Sequence, residues 1–152
     1  MLVVLSMIWI SLASCSPVID LVPTTTIAPT YTVMYDGNGN TGGIVPADAS
    51  KYLAGTTVTV LGNTGSLMKT GYTFAGWNTA AGGAGTDYAA TATFLMPSSN
   101  QTLYAKWTAL ATYTVSYNAN GATGGTVPTS QTKTQGIDLV LATNSGSLAK
   151  TG

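Results

Sequence analysis

The chain has 152 residues and no net charge, with five lysines, five aspartates and no arginine, glutamate or histidine. Only 7% of its residues are charged, compared with about 25% in an average soluble domain. Lysines scattered singly on a neutral chain form no basic surface, so we expect no nucleic-acid partner. The absence of histidine and the presence of one cysteine, Cys15, exclude a Ser-His-Asp triad and a cysteine-based metal cluster. We therefore expect no enzymatic activity, no cofactor and no metal site.

The first residues predict export and lipid attachment. Residues 2–12 are apolar apart from two serines; this run is shorter than the roughly 20 residues of a membrane span but typical of a signal peptide. The sequence Leu12-Ala13-Ser14-Cys15 resembles a bacterial lipobox, which implies a signal peptide over 1–14, a lipid on Cys15 and attachment to a membrane. It also implies a bacterial cell envelope location, at the outer membrane or cell surface rather than the inner membrane.

Two alternatives remain open for this segment. The run is not preceded by the basic residue that signal peptides usually carry. An ordinary secretory signal with an incidental cysteine, or a buried helix, would also fit the apolar run.

Residues 15–30 predict a linker behind the cysteine. Pro17, Pro23 and Pro29 recur every six residues among threonines, and proline favours an extended chain without backbone donors. A strand around residues 18–22 is the alternative.

The sequence then repeats itself. Residues 31–46 and 113–128 are identical at eleven of sixteen positions, and GSLMKTG at 65–71 matches GSLAKTG at 146–152. This predicts a complete domain over 31–108, a linker over 109–112 and a truncated second copy over 113–152. The half-copy is expected to fold poorly alone, because about forty residues are too few to close a core.

Four strands are predicted in the first copy, the first two of them from alternating apolar and polar residues. They cover Tyr31–Asp36, Thr56–Leu61, Tyr72–Asn78 and Leu103–Thr108. Residues 91–99 predict a short helical turn or a crossover, so we expect a single mixed sheet with one small element across its apolar face.

The motifs YTVMYDGNG, YTFAGWNTA and TLYAKWT resemble the Listeria–Bacteroides repeat, also called the internalin B-repeat family. The resemblance covers residues 31–108 fully and 113–152 by the first half of the unit. It implies an α+β, mostly β class, with small β-grasp-like domains in tandem, the second truncated. It also implies a non-enzymatic extracellular role in spacing, adhesion or contact with a host.

Two groups of side chains could bind a ligand. Residues 36–40 (DGNGN) mimic the start of a calcium loop but lack its later Gly and Glu, so left-handed turn conformations are the favoured interpretation. Trp77 and Trp107 could stack on sugars, although core positions are favoured. Tyr104, out of phase with its apolar neighbours, and Tyr88 are the candidate ligand-contact aromatics.

The sequence thus predicts a surface lipoprotein whose repeats act as a spacer or adhesion module. Two alternatives stay open: a carbohydrate- or protein-binding module with a defined aromatic site, and the N-terminal stalk of a longer surface enzyme. An extracellular protein or glycan is the expected partner beside the membrane.

Overall fold

The computed structural model describes residues 27–152. The predicted signal peptide, Cys15 and most of the linker lie outside these residues. The described part contains no helix and ten strands, β1 to β10: Thr30–Tyr31, Val33–Asp36, Tyr52–Leu53, Thr57–Thr59, Tyr72–Asn78, Asp87–Tyr88, Thr93–Leu95, Gln101–Ala109, Thr112–Val115 and Gln131–Thr134. The mostly-β prediction is confirmed for this part of the chain, whereas the helical component of the predicted α+β class is not found in it.

The segment that predicted a helical turn or a crossover contains strand β7 instead. Thr93–Leu95 pairs antiparallel with β4, and Phe94 lies opposite Val58. Thr93 is β-branched and Phe94 is aromatic, and both residue types favour a strand over a helix. A two-stranded sheet, β4–β7, therefore lies where the sequence predicted a helical turn or a crossover.

The main sheet is mixed and has the strand order β2-β8-β5-β6. Strand β2 runs parallel to β8, whereas β5 pairs antiparallel with both β8 and β6. The expectation of a mixed sheet in the first copy is confirmed, but the expectation of a single sheet is wrong, because two two-stranded sheets, β1–β3 and β4–β7, accompany it there.

The core lies on one face of the main sheet. Strand β2 buries Val33 and Tyr35, and β8 buries Leu103 and Ala105, because alternate residues of a strand point to the same face. These side chains form one cluster with residues from β4, β5 and the connecting loops: Val58, Val60, Leu67, Trp77 and Met96. One small core therefore joins the main sheet to the β4–β7 pair.

A β-bulge in β5 explains the spacing of its aromatic residues. Phe74 pairs with Trp107 and Trp77 pairs with Ala105, and the register shifts between Phe74 and Gly76. The extra residue lets Phe74 and Trp77, three positions apart, both face the core. Gly76 has a φ of 121°, and a Cβ there would lie 2.9 Å from the Tyr88 carbonyl oxygen, so glycine is required at this position.

The second copy reproduces the early pairing of the first. Tyr31 pairs with Tyr52 in the first copy, and Tyr113 pairs with Lys133 at the equivalent position of β9 and β10. The predicted 109–112 linker is reduced, because β8 extends to Ala109 and β9 begins at Thr112. No residue after Ala105 is fully buried.

The turns of the two copies also correspond. Asn38 and Asn120 both have a φ of 47°, and Ser66 and Ser147 both have a φ of 53°. The Asn63 side chain bonds both backbone groups of Leu67, and Asn144 does the same with Leu148. The turn geometry therefore does not depend on the strands that close the core of the first copy.

Candidate functional site

Tyr104 and Tyr88, the predicted ligand-contact aromatics, lie on opposite faces of the main sheet. Tyr104 pairs with Asn78 and points away from the core, as its phase predicted, and it is half-buried. Tyr88 pairs with Trp77 on the core face, and its ring lies 5.2 Å from that of Phe94. The two tyrosines therefore do not form a common platform.

Trp77 belongs to the core. It is fully buried, and its indole N–H donates to the Leu61 carbonyl oxygen at 2.9 Å. Its ring makes edge contacts with Tyr35 at 4.7 Å and with Phe74 at 5.1 Å. Trp77 therefore cannot stack on a sugar, and the core interpretation is confirmed for this residue.

Trp107 is only half-buried. Its indole N–H donates to the Gly37 carbonyl oxygen at 3.0 Å, which ties the end of β8 to the turn after β2. One edge of the ring contacts Phe74, and the same side chain lines a surface cleft.

The cleft has a volume of about 410 Å³ and lies where β5 and β8 meet the turn after β2. Its lining combines two lysines, two aromatic rings, two asparagines and several small residues: Asn38, Lys69, Tyr72, Asn78, Ala80, Ala81, Gly82, Gly83, Ala105, Lys106 and Trp107. Its volume falls in the roughly 300–1,000 Å³ range of small-molecule sites.

Asn78 organises the loop on one side of the cleft. This buried side chain donates to the carbonyl oxygens of Gly83 and Gly85 and to the Asp87 carboxylate, and it accepts from the Ala80 and Gly85 backbone N–H groups. A buried amide with both of its ends satisfied stabilises a single loop conformation. Residues 79–86 thus form a defined wall.

Asn38 joins the turn after β2, which lines the cleft, to the 79–86 loop and to β8. Its side-chain amide donates to the Ala81 carbonyl oxygen at 2.9 Å and to the Ala105 carbonyl oxygen at 3.0 Å. The Asp36 carboxylate accepts the Asn38 backbone N–H at 2.7 Å, and Asn38 and Gly39 both have positive φ. The DGNGN segment therefore forms a left-handed turn, the interpretation that its sequence favours.

The two lysines of the cleft differ in their surroundings. Lys106 forms an ion pair with Asp87, and this bond, with that from Asn78, lowers the pKa of the Asp87 carboxyl. Lys69 donates to the Asn38 carbonyl oxygen at 3.3 Å and lies 4.9 Å from the centre of the Tyr72 ring. Among residues 27–152, no carboxylate lies within ion-pairing distance of Lys69.

The sequence did not single out this cleft. Lys69 carried a signal, because it belongs to the GSLMKTG segment that recurs as GSLAKTG. Asn38 carried one as well, because it belongs to the DGNGN segment that predicted a turn. Asn78 carried none, because its partners lie in and just after a loop that only the folded chain brings near.

Two further properties concern the described residues alone. No helix in them has the length and apolarity needed to cross a membrane. No three metal-ligating side chains of the Cys, His, Asp or Glu type come together in that range. Cys15, the predicted site of lipid attachment, lies outside it.

Comparison with known proteins identifies the family. The model of the Listeria-Bacteroides repeat domain matches residues 31–106, half of the chain. The chain therefore belongs to the Listeria–Bacteroides repeat family, as its motifs predicted.

Two relatives come from Evansella cellulosilytica. A protein named "Putative Gly-rich membrane protein" is 31% identical over 106 residues, which cover 67% of this chain and 12% of the relative. Another, named "Putative membrane protein", is 40% identical over 77 residues, which cover 51% of this chain and 11% of the relative. The chain thus spans about an eighth of these relatives. No solved structure matches it significantly.

Proposed function

We propose that this chain is a non-enzymatic, lipid-anchored protein of the bacterial cell surface whose repeat acts as a spacer or adhesion module. The observation that carries the proposal is the family match over residues 31–106, which coincides with the part of the chain that closes a core. The names of the two relatives, both membrane proteins, agree with a surface or membrane-associated location.

The make-up of the repeat supports a structural role. One of its two tryptophans, Trp77, is used for packing, and its one ion pair within the described residues, Lys106–Asp87, braces the wall of a cleft. A spacer requires a stable fold and length, and neither requires reactive side chains. We assign the attachment to Cys15 because it ends the lipobox-like sequence Leu12-Ala13-Ser14-Cys15. Each buried CH₂ of an acyl chain on this cysteine would contribute about 0.8 kcal/mol to membrane binding.

Lipid attachment is tested by expressing the full chain in a bacterium and measuring its intact mass and its detergent partitioning. The wild type should lose residues 1–14, gain a diacylglyceryl-sized mass and enter the detergent phase. Cys15→Ala should do none of these, whereas Thr25→Ala, in the same predicted linker, should behave as wild type. A wild-type chain that stays unmodified and aqueous would contradict the anchor and leave only the repeat family as a guide.

The cleft favours a second candidate function, a binding module. The aromatic platform considered from the sequence is replaced by a mixed cationic and apolar site, since Trp77 is buried and Lys69 is accessible. This candidate adds a ligand to the adhesive role and does not compete with it.

A further inference from the structure

We propose that the cleft between the DGNGN turn and the 79–86 loop binds a carboxylate-bearing sugar unit of an extracellular acidic polysaccharide. The proposal rests on the adhesive role in the proposed function in one respect, the place where the chain would encounter such a ligand. The binding itself depends on the geometry of the cleft and can be measured on the purified chain.

The unpaired positive charge of the cleft comes from Lys69, because Lys106 forms an ion pair with Asp87. The Lys69 ammonium has three N–H donors, of which one reaches the Asn38 carbonyl oxygen. Asp36 belongs to the adjacent turn but forms no ion pair with Lys69. The remaining donors are therefore available to a carboxylate, and a charge-assisted hydrogen bond is about twice as strong as a neutral one.

The position of this ammonium is fixed before any ligand arrives. The Asn38 carbonyl oxygen holds it at 3.3 Å, and the Tyr72 ring lies 4.9 Å away, in the range of a cation–π contact. A lysine that is already ordered loses less side-chain entropy on binding than a free one. Lys69 therefore presents an oriented charge at one end of the cleft.

The rest of the lining suits a sugar ring better than a bare anion. Tyr72, 41% exposed, and Trp107 supply aromatic surface, and Ala80 and Ala81 supply methyl groups against which the C–H face of a pyranose can pack. The Tyr72 hydroxyl and the backbone N–H groups of Ala81 and Gly82, which form no hydrogen bond within the described residues, offer partners for sugar hydroxyls. An inorganic anion would use the charge alone, and a lipid tail would be opposed by two ammonium groups.

The half-copy provides an internal control. Asn120 and Lys150 are the counterparts of Asn38 and Lys69, and Lys150 approaches Gly121 as Lys69 approaches Gly39. The residues 72–108 that build the other wall in the first copy have no counterpart in 113–152. Lys150 thus has a similar local setting without a cleft, so its replacement should not affect binding.

The experiment is titration of the full chain in mild detergent with trigalacturonic acid, followed by amide chemical shifts and calorimetry. We expect shifts centred on residues 69–72 and 80–83. Lys69→Gln should weaken the affinity about tenfold, a loss typical of a charge-assisted contact. Lys69→Arg should keep most of the affinity, and Lys150→Gln should keep all of it.

Several results would overturn the proposal. These are no response to trigalacturonic acid at millimolar concentration, equal affinity for neutral galactotriose, equal shifts with inorganic phosphate, or the same loss in Lys69→Gln and Lys150→Gln. Each of these leaves the detergent partitioning of the Cys15 experiment unchanged, so failure of the cleft and failure of the anchor are distinguishable.

Discussion

Tyr35 and Tyr117 occupy equivalent positions in the two copies and make the same hydrogen bond. The Tyr35 hydroxyl accepts the Leu61 backbone N–H at 2.8 Å, and the Tyr117 hydroxyl accepts the Ala142 N–H at 2.8 Å. Yet Tyr35 is buried against Trp77, whereas Tyr117 is half-buried and has no tryptophan beside it. The first half of the repeat is thus sufficient for local pairing and turns, and the second half supplies the burial.

The two copies differ in burial in the same way at the residue that follows β4. Val60 is 1% exposed in the complete repeat, and Leu141, at the equivalent position, is 59% exposed. The strands β5 and β8, which cover Val60, have no equivalent in 113–152. The stability of the complete repeat should therefore depend on residues 72–109, even though the hydrogen-bonded turns that the two copies share lie before them.

The largest effect should come from Trp77→Ala, which removes the side chain that the half-copy lacks. We expect the free energy of unfolding of the complete repeat to fall by about 3–5 kcal/mol, the usual cost of truncating a buried tryptophan. Urea denaturation followed by circular dichroism measures the loss, and Tyr113→Ala, at an exposed position, is the control.

Hydrogen exchange on the same proteins sharpens this result. In the wild type, β5 and β8 should be well protected and residues 109–152 poorly protected; in Trp77→Ala the protection of β5 and β8 should fall towards that of the half-copy. Strong protection of 109–152 in the wild type would contradict the expectation that the half-copy folds poorly.

A matched pair of substitutions tests the contrast at one position. Val60→Ala should cost about 2 kcal/mol, because a fully buried valine loses its packing. Leu141→Ala should change the free energy of unfolding by less than about 0.5 kcal/mol, as at other exposed positions. Equal losses in the two variants would mean that the half-copy has a closed core in solution.

The smallest effect should be that of pH. Burial raises the pKa of Tyr35, and a hydrogen bond to Asp48 raises the pKa of Tyr52. A tyrosine whose pKa is raised by folding contributes fully to stability at pH values below its ordinary pKa of about 10. This contribution is lost as the pH rises through the folded-state pKa. The complete repeat should therefore lose stability in alkali.

Acid should also reduce the stability of the repeat, here because carboxylates whose pKa is lowered in the folded state become protonated. Burial would raise the pKa of Asp48, but hydrogen bonds from Ser50 and Tyr52 outweigh burial and lower it; bonds from Lys106 and Asn78 lower that of Asp87. An aspartate whose pKa is lowered by folding contributes fully to stability above about pH 4. This contribution is lost as the pH falls through the folded-state pKa. Thermal melts should be flat between about pH 5 and 9, since the chain has no histidine; a steep change there would contradict these assignments.

The long strands could be predicted from the sequence, and the short ones could not. Tyr72–Asn78 was predicted with its observed bounds, because its aromatic and β-branched residues favour a strand. Strands β3 and β6 have two residues each, too few for any period. The bulge broke the expected alternation of β5, and only the register with β8 shows why Gly76 precedes Trp77.

The cleft was beyond prediction for a different reason. Asn38, Lys69 and Lys106 are far apart in the sequence and meet only because β2 and β5 both pair with β8. Tyr104 could be placed on the outer face from its phase alone, whereas Tyr88 lies in a strand too short to assign a face.

The parallel pairing of β2 with β8 has a mechanical consequence. Val33 to Asp36 lie beside Gln101 to Tyr104, in strands near the beginning and at the end of the complete repeat. A force that pulls the two ends of the repeat apart acts along both strands in opposite directions and shears their hydrogen bonds together. The bonds cannot open one after another, so the domain should resist extension with the combined strength of this strand pair.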